Sequence, residues 1–235
     1  EAGQMYEESL EILCKLAKDN PQVYESDVAM ALTVLANLYY YTQRYSEAEQ
    51  MYEESLEIYR KLSKDNPQVY EPYVAVALNA LASLYKNIQR YSDAEQMYEE
   101  SLDIYRKLSK DNPQVYESDI AHTLNNMANL YNYTQRYSDA EQMYEESLEI
   151  YRKLSKDNPQ VYESDVAIAL YNLANLYAVI QRYSDAEQMY EESLEIRRKL
   201  SKDNPQVYEP YVAAALNALA NLYTATQRYS EAEQM

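Results

Sequence analysis

The sequence repeats with a period of 46 residues, and no other feature limits the possible folds as strongly. The segment Lys-Asp-Asn-Pro marks the period, because its proline recurs at Pro21, Pro67, Pro113, Pro159 and Pro205. Periods of about 20–50 residues are typical of arrays in which each unit packs only on its neighbours. We therefore expect one array over 1–235, with a half repeat at 1–21, repeats at 22–67, 68–113, 114–159 and 160–205, and a partial repeat at 206–235.

Each period predicts two amphipathic helices, here named helix A and helix B. In the copy that starts at Gln22, helix A is predicted from about Glu25 to Thr42, because apolar residues recur every three or four positions along one face. These residues are Val28, Leu32, Leu35 and Tyr39, with Ala29 and Ala36 beside them. Helix B is predicted from about Glu47 to Lys64, and its apolar residues are Ala48, Met51, Tyr52, Leu56 and Leu62.

Local patterns predict where helix B begins and ends. Ser46 and Glu49 have the spacing of a capping box at its first turn. The segment Asp65-Asn66-Pro67 ends the helix, because proline cannot continue a helix and restricts the residue before it. The turn from helix A to helix B, at 43–45, contains no glycine, so we expect a tight turn without a left-handed glycine.

Composition excludes several classes of protein. With 1 glycine and 1 cysteine, the chain has no material for glycine-rich phosphate loops, an internal disulfide or a thiolate zinc site. Its 39 acidic residues against 21 basic ones give a net charge of -18, which disfavours nucleic acid and anionic membranes as partners. No apolar run approaches the roughly 18 residues of a membrane-spanning helix. No charged-then-apolar leader opens the chain, so we expect a cytoplasmic protein.

The apolar pattern resembles the tetratricopeptide repeat (TPR) family. The positions that carry the resemblance are Leu32, Leu35, Ala36, Tyr39, Ala48, Tyr52 and Ser55 in the first full copy, and Leu124, Met127, Ala128, Tyr131, Ala140, Tyr144 and Ser147 in the third. The resemblance implies an all-α fold, a right-handed α-solenoid superhelix of helix-turn-helix repeats with about ten full helices. It also implies a non-enzymatic scaffold for protein interactions.

The repeat departs from the usual family pattern in two ways. The family period is about 34 residues, and here the additional residues fall between helix B and the next helix A, which predicts that both helices are longer. Gln43 stands where the family has a turn glycine. Repeats of the kinesin-light-chain type show the strongest resemblance, since they share the Asp-Asn-Pro-like stop and the Leu-x-Asn-Leu-Ala-x-Leu-Tyr pattern of helix A.

The positions of helix A that differ between copies lie on one arc, whose centre is about 150° from the core face at about 100° per residue. We name this arc the variable face and predict that it binds a peptide. The predicted residues are Met30, Thr33, Asn37, Tyr40, Tyr41, Val76, Asn79, Ser83, Lys86, Asn87, His122, Asn125, Asn126, Asn129, Asn132, Tyr133, Ile168, Tyr171, Asn172, Asn175, Val179, Asn217, Asn221 and Thr224. In the resembled family this face lines a concave groove that holds extended peptides.

The variable face also indicates the chemistry of the ligand. One position is asparagine in four copies, at Asn37, Asn129, Asn175 and Asn221, and Ser83 in the second copy. Asparagine carries a donor and an acceptor, and the resemblance implies that such a ladder clamps a peptide backbone. Lys86 and His122 are the only basic residues on this face. We therefore expect a largely neutral or partly apolar protein segment as the ligand.

Two alternatives remain open at this stage. Solvent-facing positions also vary when nothing constrains them, although the exposed Glu-Glu-Ser-Leu stretch of helix B does not vary, and tyrosine and isoleucine are poor choices for free solvent. The chain also lacks a polar capping helix, so copies could stack head to tail into a self-assembling array. The cut ends and near-identical copies fit an excised or an engineered fragment, as well as recent duplication.

No catalytic residue, metal site or cofactor is predicted. The recurring acidic pairs, such as Glu53-Glu54, are expected to form a solvated helix face, because a catalytic pair would occur once. His122 has no second histidine to share a metal with, and Cys14 is expected to be an exposed bystander. The sequence Asn132-Tyr133-Thr134 matches a glycosylation acceptor, but it lies in a predicted helix of a chain without a secretion signal.

Overall fold

The computed structural model describes residues 2–232, and these residues form eleven α-helices and no strand. The helices are α1 (Ala2–Asp19), α2 (Pro21–Tyr41), α3 (Tyr45–Asp65), α4 (Pro67–Asn87), α5 (Tyr91–Ser109), α6 (Pro113–Tyr133), α7 (Tyr137–Asp157), α8 (Pro159–Val179), α9 (Tyr183–Asp203), α10 (Pro205–Ala225) and α11 (Tyr229–Ala232). Helix A of each repeat is an even-numbered helix, and helix B is an odd-numbered one. The prediction of an all-α chain of helix-turn-helix repeats is confirmed.

The helices form two compact units, Glu1–Tyr116 and Glu117–Met235. In the first unit, α1 to α4 each pack on the next helix along the chain. In the second unit, α7 to α10 each pack on the next helix. Each unit is therefore held together by contacts between sequence neighbours, as in other repeat proteins.

The core follows the predicted apolar faces. On α2 the six predicted core residues, from Val28 to Tyr39, are all buried. On α3, Ala48, Tyr52 and Leu56 are buried, whereas the predicted Met51 and Leu62 are only half-buried. The remaining buried positions of α3 are Ser55 and Tyr59. Alanine and serine at these contacts leave room for the large tyrosine rings, so neighbouring helices can approach closely.

The repeat proline begins helix A instead of only ending helix B. Pro67 is the first residue of α4, and Asn66 is the single residue between α3 and α4. Proline suits the first helical position, because that residue needs no N–H and proline has the required backbone angle. The predicted start of helix A near Glu25 is therefore too late, since α2 begins at Pro21. The additional residues of the repeat lengthen both helices, as predicted, and α3 and α4 have 21 residues each.

The turn between helix A and helix B contains a left-handed glutamine. Gln43 has a φ of 61°, and Gln89, Gln135, Gln181 and Gln227 have φ values of 60–64°. The next N–H, of Arg44, donates to the carbonyl of Tyr39 at 2.8 Å. The turn thus lacks a glycine, as the sequence requires, but it keeps the backbone conformation that glycine normally adopts.

The predicted capping box does not form. Helix α3 begins at Tyr45, so Ser46 already lies inside the helix, and the residue at the N-cap position is Arg44. The Nε atom of Arg44 donates to Glu47 across the first turn at 3.0 Å. Glu49, the expected partner of Ser46, instead pairs with Arg90 of the next repeat. After the left-handed turn, the helix starts two residues too early for the serine to cap it.

Within residues 2–232, no helix has both the length and the apolar character that a membrane-spanning segment needs.

Candidate peptide-binding site

The variable face is accessible on every helix A. None of the residues predicted to bind a ligand is buried. Among its large apolar side chains, Tyr41 and Tyr133 are the most exposed, with 80% and 72% of their surface accessible. Exposed apolar side chains of this kind are candidates for contact with a partner.

In the four full repeats, the asparagine ladder is also part of the packing within the repeat. The tyrosine hydroxyl of helix B donates to the ladder residue of helix A, and the pairs are Tyr52 to Asn37 (2.5 Å), Tyr144 to Asn129 (2.8 Å) and Tyr190 to Asn175 (2.6 Å). In the second copy, Tyr98 and Ser83 share a hydrogen bond of 2.9 Å. Burial raises the pKa of Tyr98 to about 12, so the hydroxyl remains protonated. The asparagine oxygen, which the sequence offers to a ligand, thus already has an intramolecular donor.

The asparagine amide groups remain as donors. Within residues 2–232, the Nδ2 groups of Asn37 and Asn175 donate to no protein atom, whereas that of Asn129 donates to the carbonyl of Asn125 at 2.9 Å. An N–H group at this position can bind a carbonyl oxygen of an extended peptide. The ladder therefore presents mainly donors and not an equal set of donors and acceptors.

Other residues of the variable face pair with neighbours. Asn172 of α8 donates to Oδ1 of Asn125 on α6 at 3.1 Å. Asn87 of α4 donates to the hydroxyl of Tyr40 on α2. Asn79 donates to the buried Ser101 at 2.7 Å. These bonds hold side chains of neighbouring helices in fixed positions, so part of the variable face is ordered.

A cavity on the variable face lies between α8, α9 and α10, and we name it the α8–α10 groove. Its volume is about 490 Å³. The predicted residues Tyr171, Asn175, Asn217 and Asn221 line it, together with small alanines. Asn172, Val179 and Thr224 of the same helices are not part of its lining. The groove combines an aromatic wall, amide groups and a shallow apolar floor, a combination typical of ligand-binding clefts.

Among the recurring glutamates of helix B, Glu53 and Glu54 are exposed, as predicted for a solvated face, and several of these glutamates also connect helices. The first glutamate of the pair accepts a tyrosine hydroxyl, as Glu53 does from Tyr85 at 3.0 Å and Glu145 from Tyr177 at 3.1 Å. The second glutamate pairs with an arginine of the preceding helix B, and an example is Glu100 with Arg60 at 2.6 Å. These contacts recur because the repeat recurs, and they give the acidic residues a structural role.

Two residues singled out by the sequence do not form a reactive site. Cys14 is half-buried and not exposed, and burial raises the pKa of its thiol. His122 is exposed on α6, and its ring nitrogen Nε2 shares a hydrogen bond of 3.0 Å with Asn126. In the part of the chain that the structure describes, no three His, Cys, Asp or Glu side chains are grouped so that they could hold a metal ion.

One buried residue beside the groove was not predicted. Arg197 of α9 occupies the position of Tyr59, Tyr105 and Tyr151 in other copies, and only 4% of its surface is accessible. Its guanidinium carbon lies 4.4 Å from the centre of the Tyr171 ring. In the sequence, this copy has Arg-Arg-Lys where others have Tyr-Arg-Lys. The difference lies on helix B, and the predicted site included only positions of helix A.

The comparison with protein families decides the classification. The profile of the tetratricopeptide repeat matches residues 27–107, 119–199 and 165–235. The chain belongs to the tetratricopeptide repeat family. TPR chains commonly mediate protein interactions or the assembly of repeats, they bind protein partners, and they are generally non-catalytic. No curated protein matches the sequence significantly.

Solved TPR-like structures share the fold. BtubC (BKLC) from P. vanneervenii is 26% identical, with a TM-score of 0.79 over 99% of this chain and 85% of that chain. A kinesin-light-chain-like protein of Podosopora anserina, with nearly identical TPR-like repeats, is 16% identical, with a TM-score of 0.66 over 89% of this chain and 92% of that chain. The apo form of RapI is 17% identical, with a TM-score of 0.71 over 96% of this chain and 56% of that chain. The resemblance to kinesin-light-chain-type TPR repeats is thus confirmed.

Proposed function

We propose that this TPR chain is a non-enzymatic scaffold whose variable face binds an extended peptide or a partner helix. The α8–α10 groove carries the proposal, because four residues chosen from the sequence alone line one cavity of about 490 Å³. A groove of this size accepts a few side chains of a segment but not a folded domain. The preferred ligand is largely neutral or partly apolar.

The groove offers different groups to the backbone and to the side chains of a ligand. Asn217 and Asn221 are exposed on α10 and form no hydrogen bond within residues 2–232. Their amides are therefore available to both carbonyl and N–H groups of a peptide backbone. Tyr171 and the alanines of α10 provide the surface for apolar side chains. Backbone contacts give affinity for an extended chain, and the side-chain surface gives specificity.

The net charge of -18 affects how a ligand approaches. Helix B carries recurring acidic side chains, whereas the variable face of helix A is almost uncharged. A segment with basic flanks is attracted from a distance, and its association rate falls as salt is added.

The test is the affinity of peptides selected by display on the purified chain, measured by calorimetry. Tyr171→Ala and the double variant Asn217→Ala/Asn221→Ala remove groove contacts without breaking a ladder hydrogen bond, and each is expected to weaken binding at least tenfold. Gln188→Ala removes an exposed amide from α9, on the outer helix B, and serves as the matched control with unchanged affinity. Equal affinities of all three variants for every selected peptide would refute the groove as the binding site.

Head-to-tail assembly is the competing function, and light scattering separates it from peptide binding. If the molecular mass rises with chain concentration and no peptide is selected, the scaffold proposal is rejected in favour of a self-assembling array. A constant mass with peptide binding supports the proposal.

A further inference from the structure

Arg197 is a buried cation without an acidic partner. Three copies have a tyrosine at this position, at Tyr59, Tyr105 and Tyr151, and the half repeat has Leu13. The fourth full copy has Arg197, whose side chain is buried as those tyrosines are. Its NH1 atom donates to the backbone carbonyl of Tyr211 at 2.9 Å, and its guanidinium faces the rings of Tyr171 and Tyr211 at 4.4 and 5.7 Å. Within residues 2–232, no carboxylate forms an ion pair with it.

The absence of a partner distinguishes Arg197 from comparable arginines of this unit. Arg152 and Arg182 each pair with a glutamate of a neighbouring helix, and both are much more exposed than Arg197. A buried charge is stabilised by a counter-charge or by several hydrogen bonds, and the backbone carbonyl of Tyr211 provides only one such bond. Burial correspondingly lowers the pKa of Arg197. The guanidinium therefore retains unused capacity to bind an anion.

A small cavity lies directly against this arginine. It has a volume of about 120 Å³ and is lined by Arg197 together with Ser164, Ile168, Leu200, Val207 and Tyr208. Since a water-sized group occupies about 30 Å³, the cavity holds about four such groups. An aspartate or glutamate side chain has this size, with a short apolar arm for the apolar wall and a carboxylate for the guanidinium.

The cavity adjoins the α8–α10 groove. Tyr171 lines the groove and also stacks under the guanidinium of Arg197. Ile168, a residue of the variable face, lies in the cavity wall one helical turn before Tyr171. A ligand in the groove can therefore place a neighbouring side chain in the cavity. We infer that the Arg197 cavity binds the side-chain carboxylate of an aspartate or glutamate in the ligand of the α8–α10 groove, an inference that rests on the proposed function.

The first unit contains the corresponding arrangement without the cation. There, Tyr59 stacks on Tyr73, with ring centres 5.2 Å apart and planes at 16°. Tyr73 and Tyr211 occupy the same repeat position, as do Tyr59 and Arg197. The variant Arg197→Tyr thus restores a pairing that already exists in the folded chain, so it removes the cation with little risk to the fold. Arg198→Gln removes the same charge from an exposed neighbour and is the matched control.

The test is a titration of the arginine Nε–Hε signals by NMR at constant ionic strength. The probes are glutamate blocked at both ends by acetyl and amide groups, glutamine blocked in the same way, and acetyl-glutamine with a free terminal carboxylate. We expect the blocked glutamate alone to shift the Arg197 signal and to saturate it. The shift should persist in Arg198→Gln. In Arg197→Tyr, shifts of the amides around the cavity should be lost.

Three results would overturn the inference. They are no saturable shift with blocked glutamate, an equal shift with blocked glutamine, or cavity shifts that persist in Arg197→Tyr. If only acetyl-glutamine with its free terminal carboxylate shifts the Arg197 signal, the cavity binds the terminal carboxylate of a chain, and the assignment to a side chain is overturned. Because these probes do not need the groove, failure of peptide selection with a saturable glutamate shift would reject the proposed function only. Peptide binding without that shift would reject this inference only.

Discussion

The hydroxyl of Tyr190 on α9 donates a hydrogen bond of 2.6 Å to Oδ1 of Asn175 on α8. Tyr190 is buried, and Asn175 lies at the groove surface, so one bond connects the interior of the repeat to the candidate site. The same bond joins Tyr52 to Asn37 and Tyr144 to Asn129. A ladder residue therefore contributes to the packing of its repeat.

Removal of this acceptor should destabilise the fourth repeat. In Asn175→Ala the buried hydroxyl of Tyr190 has no acceptor, which is expected to cost about 1–3 kcal/mol. Asn175→Ser should cost less, because Ser83 bonds Tyr98 at the same repeat position. Hydrogen exchange of the amides of α8 and α9 measures the local loss. Asn221→Ala, which breaks no protein hydrogen bond, is the control, and an equal loss in Asn221→Ala would contradict this explanation.

Glycine at the left-handed turn should stabilise the chain. Gln89 has a φ of 64°, and a non-glycine residue in this conformation costs roughly 1–2 kcal/mol. Gln89→Gly removes that strain but makes the unfolded chain more flexible, so a net gain of up to about 1 kcal/mol is expected. Gln68→Gly, in the first turn of α4, should instead lower the stability. Thermal unfolding of both variants measures these changes in stability. A Gln89→Gly variant that is less stable than the parent would show that Gln89 is not strained.

The serine between helices should not tolerate a larger side chain. Ser147 on α7 is fully buried and donates to the carbonyl of Ala121 on α6 at 2.7 Å. Ser147→Ala loses this bond, at about 0.5–1.5 kcal/mol. Ser147→Val also adds volume at a close contact, for which about 1–3 kcal/mol is typical. In denaturant unfolding, Ser147→Val should be less stable than Ser147→Ala. The exposed control Ser138→Val should have nearly the stability of the parent. A Ser147→Val variant that is more stable than Ser147→Ala would show that this contact is loosely packed.

Asp119 should make the stability depend on pH. Burial raises the pKa of Asp119 above its ordinary value of 3.8, although nearby His122 opposes the shift. The folded chain then holds this proton to a higher pH than the unfolded chain, so the contribution of Asp119 to stability falls as the pH rises through that range. Asp119→Asn should therefore stabilise the chain at pH 7, by under about 1 kcal/mol because solvent screens a half-exposed group.

The difference in stability between Asp119→Asn and the parent should disappear near pH 3, where the aspartate side chain is itself mostly neutral. Asp103→Asn, on the exposed side of α5, is the control, with no comparable gain at pH 7. Thermal melts of the parent and both variants at the two pH values measure the effect. A gain in Asp119→Asn that is equally large at pH 3 would show that burial of the charge is not its cause.

The fold was predictable from the sequence because the repeat presents the same apolar pattern many times. The spacing of Leu32, Leu35 and Tyr39 leaves one face for the core, and that face is buried. The capping box at Ser46 was wrong, because local pattern carries no information about the left-handed turn at Gln43, which shifts the helix start.

The candidate site was predictable only as a surface. Differences between copies predict which face of helix A stays outside the core, and none of the residues on that face is buried. The hydrogen bond from Tyr190 to Asn175 joins two positions that neither periodicity nor composition relates. Arg197 was missed for a similar reason, since it varies on helix B, and its burial depends on rings that come from two other helices.

The single-residue junction at Asn66 has a consequence for how such a protein can change in length. An inserted or deleted residue within an adjoining helix would turn every following position on that helix by about 100°, and the core leucines would face solvent. The junction has no spare residues to absorb the error. The array is therefore expected to tolerate the gain or loss of a whole 46-residue copy better than that of a single residue.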